Sequence, residues 1–162
     1  MPSTPLVGTW NLISWENTTA DGEVGYPLGE DARGRLTYTQ DGFMAVAITR
    51  SARTPFLAGD LLSGSTDEMA HAAATYVSYC GRYELDGDAV VHHVELSLFP
   101  NWEGDSQERS VEIGGDRLTL TTRPLLLDGR QRTARLVWER AKTTDPLMPS
   151  ATTAATTPAQ TT

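Results

Sequence analysis

The sequence has 162 residues, of which 39% are hydrophobic, and its 21 acidic against 13 basic side chains give a net charge of −8 at pH 7. This length and apolar content predict one domain with its own core, because domains commonly contain roughly 100–150 residues. The acidic balance and the lack of a clustered basic face argue against nucleic acids and anionic membranes as partners. No segment approaches the roughly 20 apolar residues that cross a bilayer.

The cysteine content and the amino terminus indicate the cellular compartment. Cys80 is the only cysteine, so an intrachain disulfide is excluded. The opening segment MPSTPLVGTW lacks the charged and apolar regions of a secretory signal. We therefore expect a cytoplasmic protein. Cys80 is interpreted as a small buried residue rather than a nucleophile, because no reactive-site signature surrounds it.

Most of the chain consists of short runs typical of β-strands. Asp-Gly pairs at 41–42, 86–87 and 128–129 and a Gly-Gly pair at 114–115 mark turns between these runs. The predicted strands are 5–17, 34–40, 43–50, 77–85, 89–99, 106–113, 116–123 and 132–141. Eight sequential antiparallel strands favour an all-β, up-and-down β-barrel, since closure removes exposed edges. A two-sheet sandwich is the alternative.

One segment between the third and fourth predicted strands has a helical pattern. Ser65 and Glu68 have the spacing of a capping box, and an apolar stripe follows at Met69, Ala72, Ala73 and Tyr76. This short helix is either a lid or plug of the barrel or a connector packed outside it. His71 falls off the stripe and is expected to face solvent.

The carboxyl-terminal segment differs in composition from the rest. From Thr143 onward it contains mainly threonine, alanine and proline. Such a segment buries too little apolar surface to offset the entropy of ordering. The sequence therefore predicts a folded domain over 5–142 and a disordered tail over 143–162.

The segment VVHHVELSLFPNWEG, residues 90–104, places two histidines on opposite faces of one strand. Alternation puts His92 on an apolar face with Val90, Val94, Leu96 and Leu98, and His93 on a polar face with Glu95 and Ser97. The two rings therefore cannot share a metal ion. No third ligand is fixed near His93, and no metal site is predicted. His92 has three candidate roles: a hydrogen-bonded core residue, a ligand contact or a proton relay.

Hairpin registers extend the list of inward-facing residues. A two-residue loop at Asp86–Gly87 would place Tyr83 opposite Val90, Gly81 opposite His92 and Tyr79 opposite Val94. Tyr79, Tyr83 and His92 would then share a face, with Gly81 leaving room beside the imidazole.

The hairpin at Gly114–Gly115 would place Arg109 opposite Leu120, on the apolar face. A buried guanidinium stays charged and requires an anion or a strong acceptor, such as a carboxylate, an enolate or a polarised carbonyl of a ligand. The alternative is that Arg109 reaches water at the strand end and pairs with Glu103 or Glu108.

The sequence is compatible with either face of strand 43–50 pointing into the barrel. A two-residue loop matches Phe43, Ala45 and Ala47 with Leu36 and Tyr38, whereas a bulge or longer loop would turn the more apolar set inward. That set is Met44, Val46 and Ile48.

Several segments together carry a family resemblance. LVGTWNLISWE, with Gly8 and Trp10 on the first strand, resembles the Gly-x-Trp signature of lipocalins, and LVWERA supplies Arg140, which in that family often packs over the tryptophan. With RGRLTYTQDG, YVSYCGRYELDGD, VVHHVELSLFPNWEG and GDRLTLTT, the chain resembles the small lipocalin-like domains of bacteria and fungi over roughly residues 5–141.

The resemblance implies an eight-stranded barrel that is closed at one end and holds a small, mostly apolar ligand at the other. A cation stacked on an indole gives Trp10 and Arg140 a structural role. Relatives of this type often belong to natural-product pathways, and some such barrels act as isomerases or cyclases without a cofactor.

We therefore predict a protein that binds a small hydrophobic or amphipathic molecule in natural-product metabolism, with no cofactor. The ligand-binding candidates are Tyr38, Tyr79, Tyr83, His92, Trp102 and Arg109. The alternative is a cofactor-independent isomerase or cyclase in which His92 is the acid or base and Arg109 stabilises an oxyanion. A barrel that works only through protein partners is the third possibility.

Overall fold

The computed structural model describes residues 4–149, and almost all of its regular structure is β-strand. The strands are β1 (Gly8–Thr19), β2 (Val24–Gly25), β3 (Arg33–Tyr38), β4 (Phe43–Thr49), β5 (Tyr76–Asp86), β6 (Ala89–Ser97), β7 (Ser106–Gly114), β8 (Arg117–Thr122), β9 (Leu125–Leu127) and β10 (Arg130–Arg140). One helix, α1 (Thr66–Ala74), and a 3-10 turn, Pro100–Trp102, complete the elements of the described residues.

The strands close into an antiparallel barrel. Neighbours follow the order β1-β3-β4-β5-β6-β7-β8-β10, and β10 pairs back onto β1 over the length of both strands. The predicted eight-stranded up-and-down barrel is confirmed, and the sandwich alternative is wrong. The short strands β2 and β9, which extend β1 and β10 at one end of the barrel, were not predicted.

Trp10 and Arg140 join the first and last strands at one end of the barrel. Trp10 is fully buried and pairs with Arg140 in the β1–β10 register. The Arg140 guanidinium lies 4.2 Å from the centroid of the indole and donates to the carbonyl oxygens of Val7 at 3.0 Å and Pro5 at 2.8 Å. The indole N–H donates to Leu6 O at 2.9 Å. These contacts close this end of the barrel.

The β3–β4 turn decides which face of β4 points inward. Thr39 and Phe43 pair across the turn, so three residues form the loop and Tyr38 lies opposite Met44. An odd loop reverses the alternation that a two-residue loop would give. Met44, Val46 and Ile48 are therefore buried, and Phe43 is exposed.

The predicted pairing of β5 and β6 is wrong by two residues. Tyr83 lies opposite His92 and Gly81 opposite Val94, because the loop contains Gly87 and Asp88 rather than Asp86 and Gly87. A shift of two residues keeps every side chain on its predicted face. Gly81 therefore does not lie beside the imidazole. The β7–β8 pairing is shifted in the same way, with Arg109 opposite Thr122.

A β-bulge in β6 corrects a second expectation. Gly81 pairs with Val94 but Cys80 pairs with Leu96, so Glu95 is an extra residue in β6. The extra residue reverses the alternation beyond it. Leu96 is consequently 64% exposed and Leu98 is also exposed, although both were predicted to share the apolar face of His92.

The helix α1 begins as predicted, with both hydrogen bonds of the capping box between Ser65 and Glu68. None of its residues is buried. Arg53 of the preceding loop donates to Ala72 O at 3.0 Å and Thr75 Oγ1 at 3.0 Å, which fixes the helix to its own connection. The helix is therefore a connector outside the barrel and not a plug of its interior. With nine residues, it is also too short to span a membrane, and no described helix has the length and apolarity to do so.

The predicted tail lies partly outside the described residues. Residues 143–149 contain no strand or helix, and Asp145 accepts a hydrogen bond from Lys142 N at 2.7 Å. Arg33 donates to the carbonyl oxygen of Pro149. The remainder of the predicted tail, 150–162, lies outside the described part of the chain.

Candidate functional site

The barrel contains a cavity of about 510 Å³ that opens opposite the Trp10–Arg140 end. Its walls are mainly aliphatic and aromatic, and several polar and charged groups lie among them. The aliphatic and aromatic side chains include Trp15, Leu36, Val46, Ile48, Val77, Trp102, Leu120, Leu136 and Trp138, and the polar and charged groups include Tyr79, His92, Asp105, Gln107, Glu108, Arg109 and Arg123. This volume and lining are those of a small-molecule site.

A chain of three hydrogen-bonded side chains crosses the inner wall. His92 is 1% exposed, and its Nε2 lies 2.7 Å from the Tyr38 hydroxyl while its Nδ1 lies 2.8 Å from the Tyr79 hydroxyl. Strand pairing brings the three residues together from β3, β5 and β6. Both ring nitrogens therefore have a partner, as a buried imidazole requires.

Burial controls the protonation of this chain. Desolvation lowers the pKa of His92 to about 3, and the positive charge of Arg109 acts in the same direction. Desolvation also raises the pKa of the Tyr38 hydroxyl well above its ordinary value and raises that of Tyr79. At neutral pH, the imidazole and both phenols are therefore uncharged.

Arg109 contributes a cation to the cavity wall without a carboxylate partner in residues 4–149. Its guanidinium donates to Gln107 Oε1 at 2.6 Å and to Glu108 O at 3.1 Å, and both acceptors are neutral. The Glu108 carboxylate binds Arg123 instead, at 2.6 Å. The alternative in which Glu103 or Glu108 neutralises Arg109 is therefore wrong. A half-buried cation with neutral partners can still bind an anionic or strongly accepting group.

Trp102 lies at the mouth, where the 3-10 turn follows β6. Its ring packs edge-on against Tyr79, with the ring centroids 5.9 Å apart, and also against Phe99. This contact connects the mouth of the cavity to the hydrogen-bonded chain.

The other predicted site residues occupy different positions. Tyr38 and Tyr83 pack edge-on with their ring centroids 4.8 Å apart, and neither is among the described residues that form the cavity wall. The Tyr83 hydroxyl donates to Thr39 O at 2.7 Å, in the β3–β4 turn.

The second histidine lies outside the barrel. His93 contacts Glu84 and Ser106, each at 2.8 Å, on the outer face. No group of three or more potential metal ligands forms in the part of the chain that the structure describes.

One tryptophan of the cavity wall was not predicted from the sequence. Trp15 lines the cavity together with the buried Trp138. The β1 bulge between Leu12 and Ser14 turns Trp15 inward. Alternation alone could not reveal this, because a bulge changes which residues of a strand face the core.

Comparison with known proteins identifies the family. A family model described as "Lipocalin-like domain" matches residues 7–141. The chain belongs to the lipocalin-like domain family. The 4'-hydroxy-3'-methoxypropiophenone carrier protein ppsC of Aspergillus oryzae is 35% identical to this lipocalin-like chain over 106 residues, which cover 60% of the chain and 96% of the relative.

Among solved structures, a lipocalin-like protein from Bacteroides uniformis is similar, with 14% sequence identity and a TM-score of 0.44. The alignment covers 84% of this lipocalin-like chain and 98% of that structure.

Proposed function

We propose that this lipocalin-like barrel is a carrier for a small, largely apolar molecule of natural-product metabolism that presents an oxygen acceptor to Arg109 and Tyr79. The observation that supports this most directly is the cavity of about 510 Å³, whose apolar walls include one cation with neutral partners. An eight-stranded barrel holds one small ligand, and the few polar groups in such a site orient it.

The fungal relative supports the carrier function and a class of ligand. Its name describes a carrier of an aromatic ketone that bears a hydroxyl and a methoxy group. Such a molecule combines a flat apolar body with a carbonyl oxygen. The aromatic wall of Trp15, Trp102 and Trp138 would contact the body, and Arg109 would face the oxygen.

A carrier fits the state of His92 better than the isomerase or cyclase alternative does. A general base is most effective when its pKa lies near the working pH, whereas the pKa of His92 is about 3. Both ring nitrogens are also occupied by tyrosine hydroxyls. We place the function in the cytoplasm, where the single free Cys80 requires no oxidising environment.

The proposal is tested by calorimetric titration with 4'-hydroxy-3'-methoxypropiophenone, followed by mass spectrometry of the recovered ligand. We expect one molecule per barrel, a Kd in the micromolar range and recovery of the ligand unchanged. Val77→Trp, which fills the mouth, should abolish binding, and Val91→Trp on the outer face of β6 should not. Absence of binding to the unmodified protein would contradict the proposal, and recovery of an isomer would support the enzyme alternative.

A further inference from the structure

The three hydrogen-bonded side chains Tyr38, His92 and Tyr79 form a row with one buried end and one end at the cavity. Tyr38 is 1% exposed and lies outside the described cavity wall, whereas Tyr79 lines the cavity. The imidazole connects the two hydroxyls through distances of 2.7 Å at Nε2 and 2.8 Å at Nδ1. A ligand can therefore reach Tyr79 but not Tyr38.

Only one direction of the two hydrogen bonds gives the buried Tyr38 hydroxyl an acceptor for its proton. A neutral imidazole has one N–H donor and one acceptor nitrogen, so one tyrosine donates to the ring and the other accepts from it. If Tyr38 accepted from Nε2, its own O–H would be left in the core with no acceptor in residues 4–149. A buried donor without an acceptor is strongly disfavoured. Tyr38 therefore donates to Nε2, and the Nδ1–H of His92 donates to the Tyr79 oxygen.

This direction leaves the Tyr79 proton available at the cavity. The Tyr79 oxygen already accepts from His92, so its O–H points away from the imidazole. Arg109 lies close enough to act on this hydroxyl, since its positive charge partly offsets the rise that burial causes in the pKa of Tyr79. A hydroxyl that accepts from one donor and lies beside a cation is a stronger donor itself.

We propose that Tyr38 is a positioning residue, which holds His92 in the Nδ1–H tautomer and thereby presents the Tyr79 hydroxyl as a donor to a carbonyl oxygen of the ligand. This inference rests on the proposed function, which supplies the ligand. It makes the preference for a carbonyl group depend on Tyr38, a buried residue outside the cavity wall. The barrel should select ketones over otherwise identical molecules that lack the carbonyl.

The tautomer is tested without any ligand. Long-range ¹H–¹⁵N correlation spectra of protein labelled at histidine distinguish a protonated ring nitrogen from an unprotonated one. At pH 7, we expect a protonated Nδ1 and an unprotonated Nε2 at His92. In Tyr38→Phe, the Nδ1–H and Nε2–H tautomers of His92 should both be populated. Tyr83→Phe, a matched change in the same aromatic cluster, should leave the spectrum unchanged. A protonated Nε2 in the unmodified protein, or an unchanged tautomer in Tyr38→Phe, would overturn the proposal.

Selectivity is tested with a pair of probes, 4'-hydroxy-3'-methoxypropiophenone and 2-methoxy-4-propylphenol, which has a methylene in place of the carbonyl. We expect the unmodified protein to bind the ketone at least about tenfold more tightly, which corresponds to about 1.4 kcal/mol. Tyr79→Phe should lower this preference severalfold, because only Arg109 then faces the carbonyl oxygen. Tyr38→Phe should lower it by a smaller factor, and Tyr83→Phe should retain it.

The two proposals fail in different ways. If the unmodified protein binds neither probe, the proposed carrier function fails, and the tautomer measurement still decides the direction of the hydrogen bonds. If it binds both probes equally, or if Tyr79→Phe retains the full preference of the unmodified protein, the carrier function stands and the positioning role of Tyr38 is wrong.

Discussion

Arg109 is the residue at which we expect ligand binding and stability of the barrel to be linked. Its guanidinium is half-buried and hydrogen-bonded to the Gln107 amide and a backbone carbonyl, so its charge is partly desolvated without an opposing charge among the described residues. Desolvation of an ion costs several kcal/mol, and neutral acceptors recover only part of it. The guanidinium therefore gains from any further acceptor oxygen that a ligand brings to it.

Replacement of Arg109 should therefore separate affinity from stability. We expect Arg109→Met to weaken binding of the propiophenone probe about 10- to 100-fold and to raise the free energy of unfolding by up to about 1 kcal/mol, because the substitution removes a desolvated charge. Calorimetry and urea unfolding measure the two effects. Arg82→Met, at an exposed arginine that pairs with Glu95 and is not part of the cavity wall, is the matched control and should change neither by more than about 0.5 kcal/mol. Undiminished affinity in Arg109→Met would contradict the assignment of the cation to the ligand.

His92 gives the barrel a defined dependence on pH. Its folded pKa of about 3 lies below the ordinary value of 6.5, so the unfolded chain binds a proton that the folded chain excludes. The contribution of neutral His92 to the free energy of unfolding is therefore complete above about pH 6.5, and it is lost progressively as the pH falls toward 3. We expect the free energy of unfolding to fall by about 2–3 kcal/mol more in the unmodified protein than in His92→Gln between pH 7.5 and 4.5. Equal pH dependence in urea titrations of both proteins would show that His92 is not buried neutral.

At the scale of the strand, single extra residues decide which side chains face the cavity. The three-residue turn after β3 turns Met44, Val46 and Ile48 inward, and the bulge at Glu95 turns Leu96 outward. Both changes follow from the two-residue period of a strand, since one added residue exchanges the faces. The walls of the cavity thus depend on irregular positions as much as on the regular pattern.

The bulge in β6 requires a glycine on the strand beside it. A Cβ atom at Gly81 would overlap the carbonyl oxygen of His93, whereas a Cβ at Gly114 would meet nothing within 4 Å. We expect Gly81→Ala to lower the free energy of unfolding by about 2–3 kcal/mol, because backbone must move to admit the methyl group. Gly114→Ala is the matched control in β7 and should stay within about 0.5 kcal/mol of the unmodified protein. Chemical unfolding that shows equal effects would mean that the bulge relaxes freely.

The sequence predicts the parts of the site that depend only on periodicity. Alternation alone placed His92 inward and His93 outward, and the inward position of Arg109 survived a register error because the error was two residues. Local pattern could not give the partners of His92. Tyr38 meets the imidazole across strands whose register is set by turn length, and Trp15 faces inward only because of a bulge. The Tyr38–His92 contact and the inward position of Trp15 both depend on a turn length or a bulge, and neither has a distinctive sequence pattern.

At the scale of the whole molecule, the two ends of the barrel differ in structure. The closed end joins β1 to β10 through the stack of Arg140 on Trp10 and two hydrogen bonds to backbone carbonyls, while the cavity opens at the opposite end. Stability at one end and binding at the other should therefore respond to different substitutions.

Arg140→Leu tests this separation directly. The variant loses the cation–π contact and leaves the Val7 and Pro5 carbonyl oxygens without their side-chain donor, so we expect the free energy of unfolding to fall by about 2–3 kcal/mol. Affinity for the propiophenone probe should stay within about twofold of the unmodified value, measured by calorimetry well below the unfolding midpoint. Arg117→Leu, at an exposed arginine of β8, controls for the loss of a positive charge. A parallel loss of affinity in Arg140→Leu would mean that closure of the barrel also shapes the cavity, and that the two ends are coupled.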